Sequence, residues 1–513
     1  MDDQREILAF LAAGASYGLP GATVERIDTH ASSVFLVGER AYKLKRAVHY
    51  SYLDYSTVER RERACRAELA LNRRTAPALY LAVRAIRRRA GGSLGFDGDG
   101  ATLDWVVEMR RFDAANLFDR MGEENRLSPL LMRDLADAIS AFHAAAEPSQ
   151  SDGGSTAIAA VIADNLENLR AAGAALDQEA VTALAEAWRA ELAAVAALLD
   201  RRRAAGQVRR CHGDLHLRNI CLFEGKPTLF DAIEFSAAIA IIDVLYDLAF
   251  LLMDLMHRGM ARLANLVFNR YLDRSGEDMA ALAAMPLFLS LRSAIRAHVL
   301  VTAAASQPGE QAAALVALAQ TYLRLARDLL RRQKPRLVAV GGMSGTGKST
   351  LAQGLAADFL PAPGARVLRS DVLRKLLEGV PPETRLPQAA YRPAVTRQVY
   401  GRIYADAAAA LAAGYSVIAD AAFLAAKERA AVAASASAAA ASFTGVWLEA
   451  SPSVLAARLD ARIGDASDAN RAVMEQQRRL DPGAVLWPRI AASADADAVL
   501  AAARALVSSR KAE

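Results

Sequence analysis

Residues 211–223 read CHGDLHLRNICLF, from Cys211 to Phe223. Two cysteines, two histidines, an aspartate and an asparagine fall within this one short stretch. It is either a metal centre or a catalytic loop. A zinc site would use Cys211, His212, His216 and Cys221. Their spacing lacks the closely paired cysteines and paired histidines of structural zinc sites. The loop reading starts from Asp214, with Asn219 five positions on. Asp231 follows at the end of an apolar run, PTLFDAIEF. Phosphoryl transfer from Mg·ATP needs a proton acceptor and hard oxygen ligands. Asp214, Asn219 and Asp231 are residue types that fit those needs.

The surrounding chain bounds the reading. It has 513 residues, too many for one ordinary core, so two or three domains are expected. Hydrophobic residues make up 53 % and charged residues 23 %, which is a globular composition. The net charge of +5, spread over this length, is too weak a bias to argue for nucleic acid. Three cysteines argue against a disulfide framework and point to a reducing cytoplasm. The opening MDDQREILAF is acidic where a signal peptide would be basic. The most membrane-like span, Ile239 to Met256, carries Asp243, Asp247 and Asp254. Three carboxylates are costly in a bilayer, so this span is read as a buried helix of a soluble domain.

The segment VERIDTHASSVFLVGERAYKLKR reads as short strands with a turn at Gly38-Glu39. A charged helix follows, STVERRERACRAELALNRR. LYLAVRAI and ATLDWVVEMRRF read as strands on either side of a Gly/Asp-rich turn, GGSLGFDGDG. From about 116 to 332 the pattern is mostly helical. The basic, Pro-containing link LLRRQKPRLVAVGG then ends one domain and opens the next. The expected architecture is a two-lobed α+β domain over 1–332, with a small lobe at about 20–112 and a helical lobe at about 113–332. An α/β domain over 333–513 follows, in which alternating strands and helices imply a parallel sheet.

LVAVGGMSGTGKST carries a second phosphate-handling pattern, G-x-x-x-x-G-K-S, between an apolar strand and a helix. Gly342, Gly345 and Gly347 free backbone N–H groups of the loop, including those of Ser344, Thr346 and Thr350, to face phosphate oxygens. Lys348 is expected on the β- and γ-phosphates and Ser349 on Mg²⁺. RVLRSDVLRK puts Asp371 at the end of a second strand, with Arg374 one helical turn on. A carboxylate there can take a proton from a substrate hydroxyl. SVIADAAF puts Asp420 at the end of another strand, where it could hold Mg²⁺ through water. The alternative for Asp371 and Asp420 is helix N-capping. Arg458, Arg462 and Arg471 surround a polar loop that reads as a lid, or else as a surface helix-loop-helix.

The HGDLHLRN and LFDAIEF segments resemble the aminoglycoside phosphotransferase-like (kinase-like) superfamily, over about 25–330 and most strongly at 209–255. That resemblance implies Asp214 as base, Asn219 and Asp231 as Mg²⁺ ligands, and His216 as support. It implies that Lys45 or Lys43 binds the α/β-phosphates, with Lys45 preferred, and that Glu68 pairs with that lysine. It also implies an adenine hinge around Glu108, Met109 and Arg110. His143, Asp243 and Asp247 match supporting positions, and a structural role is expected of His143 and Asp247. The C-terminal segment resembles small P-loop kinases of the gluconate kinase and zeta-toxin-like group. This likeness rests on GMSGTGKST, RSDVLRK, VIADAAF and RIGDASDA, with Arg462 as the lid arginine. The whole chain resembles the bifunctional aminoglycoside phosphotransferase/ATP-binding protein family.

These resemblances imply two ATP- and Mg²⁺-dependent phosphotransferases acting on small-molecule hydroxyls. THASSVF stands where protein kinases carry a glycine-rich loop, and FDA stands for DFG, so a small-molecule acceptor is favoured. The helical lobe has no dense acidic run, which argues against a polycationic drug as acceptor. Two alternatives stay open. One is a P-loop kinase regulated by a non-catalytic kinase-like module. The other is a P-loop nucleic-acid end kinase, which the weak charge disfavours.

Overall fold

The computed structural model describes residues 4–50, 53–461, 466–493 and 495–509. Packing divides the chain into two compact units. One holds Met1–Ala157 with Asp200–Leu251, and the other holds Ile158–Leu199 with Leu252–Glu513.

The first unit contains a six-stranded antiparallel sheet. Its order is Glu25–Asp28, Ser32–Val37, Arg40–Lys45, Ala101–Arg110, Tyr80–Arg88, Leu94–Phe96. The turn at Gly38-Glu39 joins the second strand to the third, with Gly38 at φ +51°. The expected Gly/Asp-rich turn contains the edge strand Leu94–Phe96. Phe96 explains it: its ring packs 5.3 Å from Tyr42 and 5.2 Å from Phe10, so this short run has an apolar anchor. The helix Val58–Asn72 starts at a Thr57 cap, whose side chain accepts from the Arg60 N–H.

Ile239 to Met256 forms a short helix, the strand Ile241–Asp243 and most of the helix Val244–His257. All three of its aspartates are buried and paired. Arg202 holds Asp243 at 2.7 and 2.9 Å, Asp254 meets Arg258 at 3.1 Å, and His143 stands 3.1 Å from Asp247. Among the described residues one segment, Met279–Ala304, is long and apolar enough to cross a membrane, with a window mean hydropathy of 1.3. That window is 61 % buried within the protein. Ser290 accepts a hydrogen bond from Trp188 at 2.8 Å, and Ser293 donates to the Tyr322 carbonyl at 2.8 Å. Such ties suit a core helix.

In the second unit, five parallel strands run in the order Arg366–Arg369, Val417–Asp420, Arg336–Gly342, Ser442–Glu449, Arg489–Ala491. Their core includes Val338, Val340, Leu355, Ile418 and Val446, all buried. The domain border expected near 332 falls inside this unit. The reason is that the helix Ala261–Ser275 packs on the strand Arg366–Arg369 through Asn269 and Arg366. Cys65, Cys211 and Cys221 are all buried thiols.

Candidate functional site

The catalytic-loop candidate grows out of the strand Val208–Arg210, which pairs with Ile241–Asp243. The next two strands, Ile220–Phe223 and Lys226–Leu229, form a hairpin closed by Glu224 and Gly225 at φ +50° and +76°. Two positive φ angles in a two-residue loop match the twist of a hairpin. This hairpin explains the spacing of Asn219 and Asp231. It brings their chain segments side by side, and the Phe230 N–H donates to the Asn219 carbonyl at 3.0 Å.

Asn219 Nδ2 donates to Asp214 twice, at 2.9 Å to its carbonyl and at 2.9 Å to Oδ2. His216 Nε2 stands 3.3 Å from the same carboxylate oxygen. Behind them, the buried Asp247 accepts from the backbone N–H groups of His212 at 3.0 Å and Gly213 at 2.9 Å. The His212 ring meets the Phe230 carbonyl at 2.9 Å, and burial holds its pKa below the usual histidine range. The ring is therefore neutral near pH 7, and its N–H donates to that carbonyl. His143 and Asp247 thus brace the loop from behind.

Asp231 sits at φ +63°, a left-handed conformation uncommon for a residue with a side chain. Such strain clusters at functional sites. Its Oδ1 lies 2.5 Å from Lys43 Nζ, and the same ammonium lies 2.9 Å from Glu68 Oε1. Lys45 Nζ meets Glu68 Oε2 at 2.5 Å and also pairs with Glu234. Tyr55 donates to Glu234 at 2.6 Å. Burial pushes the Glu68 carboxyl up, but Lys43 and Lys45 outweigh it and hold the pKa at about 2. Glu68 therefore pairs with both lysines. Glu234 and Tyr55 were not singled out from sequence. Glu234 could have been, as the acid three places after Asp231; Tyr55 carries no local signal. Glu108 pairs with Arg84 at 3.0 Å, and Met109 packs against the buried cluster that includes Tyr80 and Val107.

The four residues of the zinc reading do not converge among the described residues. Cys211 lies instead with His143 and Asp247, ligand atoms within 4.8 Å of one another. Asp247 already serves two backbone N–H groups there.

In the second unit the strand Arg336–Gly342 delivers the P-loop to the helix Lys348–Ala356. Gly342, Gly345 and Gly347 take φ +136°, +89° and +89°, as a phosphate cradle requires. A Cβ at Gly342 would stand 2.5 Å from the Leu448 carbonyl oxygen. At Gly347 it would meet nothing closer than Arg458 Nη1 at 4.0 Å, so the cradle is open there. Lys348 Nζ and Thr346 Oγ1 both donate to the Met343 carbonyl, at 2.9 and 2.8 Å. The Ser344 N–H donates to Gln477, a partner not foreseen from sequence. Thr350 is exposed on the helix.

Ser349 Oγ donates to Asp420 Oδ2 at 2.5 Å, and Arg369 Nε stands 3.4 Å from the same oxygen. Asp371 lies in the first turn of the helix Ser370–Leu377 rather than at the strand end, and Arg369 is the N-cap residue. The helix after Asp420 begins only at Ala426. Neither aspartate is a helix N-cap. Burial pushes the Asp371 carboxyl above the usual range, against a hydrogen bond from Ser467 and the charge of Arg369. Arg374 is buried and donates to the Ala390 carbonyl at 2.8 Å. Arg471 pairs with Asp460. Arg462 lies outside the described residues. Of the described arginines in the expected lid, Arg458 approaches the P-loop.

The donor sets fit Mg·ATP. Hard oxygens converge at Ser349 and Asp420, glycine backbone frames an open cradle, and Asp231 faces a buried lysine–glutamate pair.

Residues 23–285 match the phosphotransferase enzyme family and residues 337–482 match an AAA domain family. An uncharacterized protein of Mycobacterium tuberculosis H37Rv is 30 % identical over 450 residues, covering 86 % of this chain and 87 % of that one. An uncharacterized protein of Mycobacterium bovis matches to the same extent. Among solved structures, a choline/ethanolamine kinase family protein from Mesorhizobium loti is 16 % identical, with a TM-score of 0.36, covering 63 % of this chain and 98 % of that one. A gluconokinase from Sinorhizobium meliloti is 25 % identical, with a TM-score of 0.25, covering 35 % and 94 %. The matched region holds the whole Lys43–Glu68–Asp214–Asn219–Asp231 constellation, and the chain belongs to the phosphotransferase enzyme family.

Proposed function

We propose that the chain is a fusion of two ATP-dependent phosphotransferases, dividing near residue 332. Each moves the γ-phosphoryl of Mg·ATP to a hydroxyl of a small molecule. The carrying observation is that Lys43 bridges Glu68 and Asp231 beside the Asp214–Asn219 pair. Lys43, rather than the Lys45 favoured from sequence, is assigned to the α/β-phosphates. Its partner Asp231 is the metal-side carboxylate. Lys45 is instead locked between Glu68 and Glu234.

In the first half Asn219 and Asp231 would hold Mg²⁺. In the second, Ser349 would hold it directly and Asp420 through water. The metal neutralises charge on the phosphates. Asp214 and Asp371 take the acceptor's hydroxyl proton as its oxygen bonds to the γ-phosphorus and the bond to the β-phosphate oxygen breaks. Positioning and charge do the rest of the work. Asp371 suits the role because burial makes it a stronger base than a solvated carboxylate.

The test is transfer from γ-labelled ATP into a fractionated metabolite extract. Wild type is run beside Asp214→Asn and Lys348→Ala, both checked for folding. Loss of a different labelled product in each variant supports the two-kinase reading. If Asp214→Asn removes nothing and Lys348→Ala removes everything, the first half is a regulatory module. Stimulation of the Lys348-dependent step by RNA or DNA would favour an end kinase.

A further inference from the structure

The strand Arg366–Arg369 is the edge of the parallel sheet, and two residues beyond it stands Asp371. An open edge leaves backbone N–H and C=O groups without a strand partner. Here the helix Ala261–Ser275 supplies side chains in place of a strand. Asn269 Oδ1 accepts from the Val367 N–H at 2.7 Å and from Arg366 Nη1 at 3.0 Å. Asn269 Nδ2 donates to the Ala365 carbonyl at 3.1 Å. One amide side chain thus completes both a donor and an acceptor of the edge, as a neighbouring strand would.

The bracket extends along the helix. Asn265, four residues back on the same face, donates to the Pro363 and Ala365 carbonyls at 3.2 and 3.1 Å. Asp273, four residues on, pairs with Arg366 at 2.5 Å. Arg270 pairs with Glu383 at 2.8 Å. Asn265, Asn269 and Arg366 are 3 %, 8 % and 2 % exposed, so these bonds are shielded from water. The backbone makes room for them. Gly364 has φ +113°, and a Cβ there would stand 2.9 Å from Asn265 Nδ2. Two asparagines one turn apart weaken a helix, so a helix that carries them gains something from outside itself.

We propose that Asn269 is a positioning residue for the P-loop site. It fixes the strand that carries Asp371, from a helix lying inside the segment that matches the phosphotransferase family. The second catalytic half then borrows part of its framework from the first, and a change in this helix alters turnover at the P-loop. The proposal rests on the reading of Asp371 as the base. The P-loop itself stands on the strand Arg336–Gly342, which Asn269 does not touch. ATP binding is therefore separable from turnover.

The test uses the full chain with Asn269→Leu and Asn269→Asp. Asn269→Leu removes the acceptor of the Val367 N–H and leaves the Ala365 carbonyl with Asn265 as its side-chain donor. Amide hydrogen exchange at 366–373 is expected to rise about tenfold, with 336–342 unchanged. The product that depends on Lys348 is expected to form about tenfold more slowly, with KM for ATP unchanged. Asn269→Asp keeps the acceptor for Val367 and Arg366 and is expected to restore most of both. Unchanged exchange at 366–373 after Asn269→Leu overturns the proposal. So does an increase spread evenly over the sheet with a raised KM, which would mark general loosening. If wild type forms no Lys348-dependent product, the kinase reading of this half fails, and the exchange measurement still decides whether Asn269 holds the strand.

Discussion

Lys43 and Asp231 meet at 2.5 Å, although 188 positions separate them in the chain. The contact joins the strand Arg40–Lys45 to Asp231, just past the hairpin of Ile220–Phe223 and Lys226–Leu229. The same ammonium reaches Glu68, so one cation ties three elements together. Lys45, two residues on, faces Glu68 from the other side and ends on Glu234.

The two lysines should separate by assay. Lys43→Ala is expected to lower the Asp214-dependent activity by about 100-fold or more, with little loss of stability, because Lys45 still neutralises Glu68. Lys45→Ala leaves Glu68 with Lys43 but strands the Glu234 carboxylate, 5 % exposed, without a cation in the interior. It is expected to cost about 3–5 kcal/mol in urea unfolding. Equal effects of the two substitutions in both measurements would refute the division of roles.

Asp247 is expected to be structural. Asp247→Ala removes the carboxylate that accepts from the buried His212 and Gly213 N–H groups, and the loss at His212 is expected to cost about 1–3 kcal/mol. The denaturation midpoint should fall accordingly, and activity in the first half should fall with it. Asp247→Asn keeps one acceptor oxygen and should recover part of the stability.

Asp371 ties activity to stability with opposite signs. Burial raises its folded-state pKa above the unfolded value, so the folded protein binds the proton more tightly. The stability it contributes is full below the unfolded pKa and is lost as pH rises through the folded one. Lys348-dependent turnover, which needs the ionised carboxylate, should rise over that same interval. Asp371→Asn is therefore expected to raise the melting temperature at neutral and alkaline pH, while turnover drops by about 100-fold or more. A melting temperature that falls instead would show that the ionised group is well solvated.

Ser349→Ala removes the hydroxyl that bonds Asp420. Turnover at the P-loop should then require about tenfold more Mg²⁺ for half-saturation, whereas the Asp214-dependent product should keep its Mg²⁺ requirement. A Mg²⁺ titration followed separately for each labelled product measures this.

What could be read in advance depended on distance along the chain. The P-loop is nine consecutive residues whose glycines set their own geometry, so spacing alone located it. Asp214, Asn219 and Asp231 were legible because a single hairpin of fixed length brings the last two together. The choice between Lys43 and Lys45 was not legible. Both lie on one side of a strand, and the difference lies in Asp231 and Glu234, which the fold brings up from nearly 190 positions away. Tyr55 and Gln477 reach their sites only through tertiary packing. The same holds for Asn269 and Val367, 98 positions apart. Phe96 shows a local failure, in which glycine-rich composition concealed a short strand anchored by one aromatic ring.

The three thiols have a practical consequence. Cys65, Cys211 and Cys221 are each at most 1 % exposed. Burial pushes the Cys221 thiol up to about 12 and the Cys65 thiol higher still, away from the reactive thiolate. Maleimide dyes and spin labels should therefore pass over the folded native chain. A cysteine introduced at an open position, such as Leu486→Cys at 90 % exposure, would be labelled selectively. Probes for distance measurements can then be attached without first replacing any native cysteine.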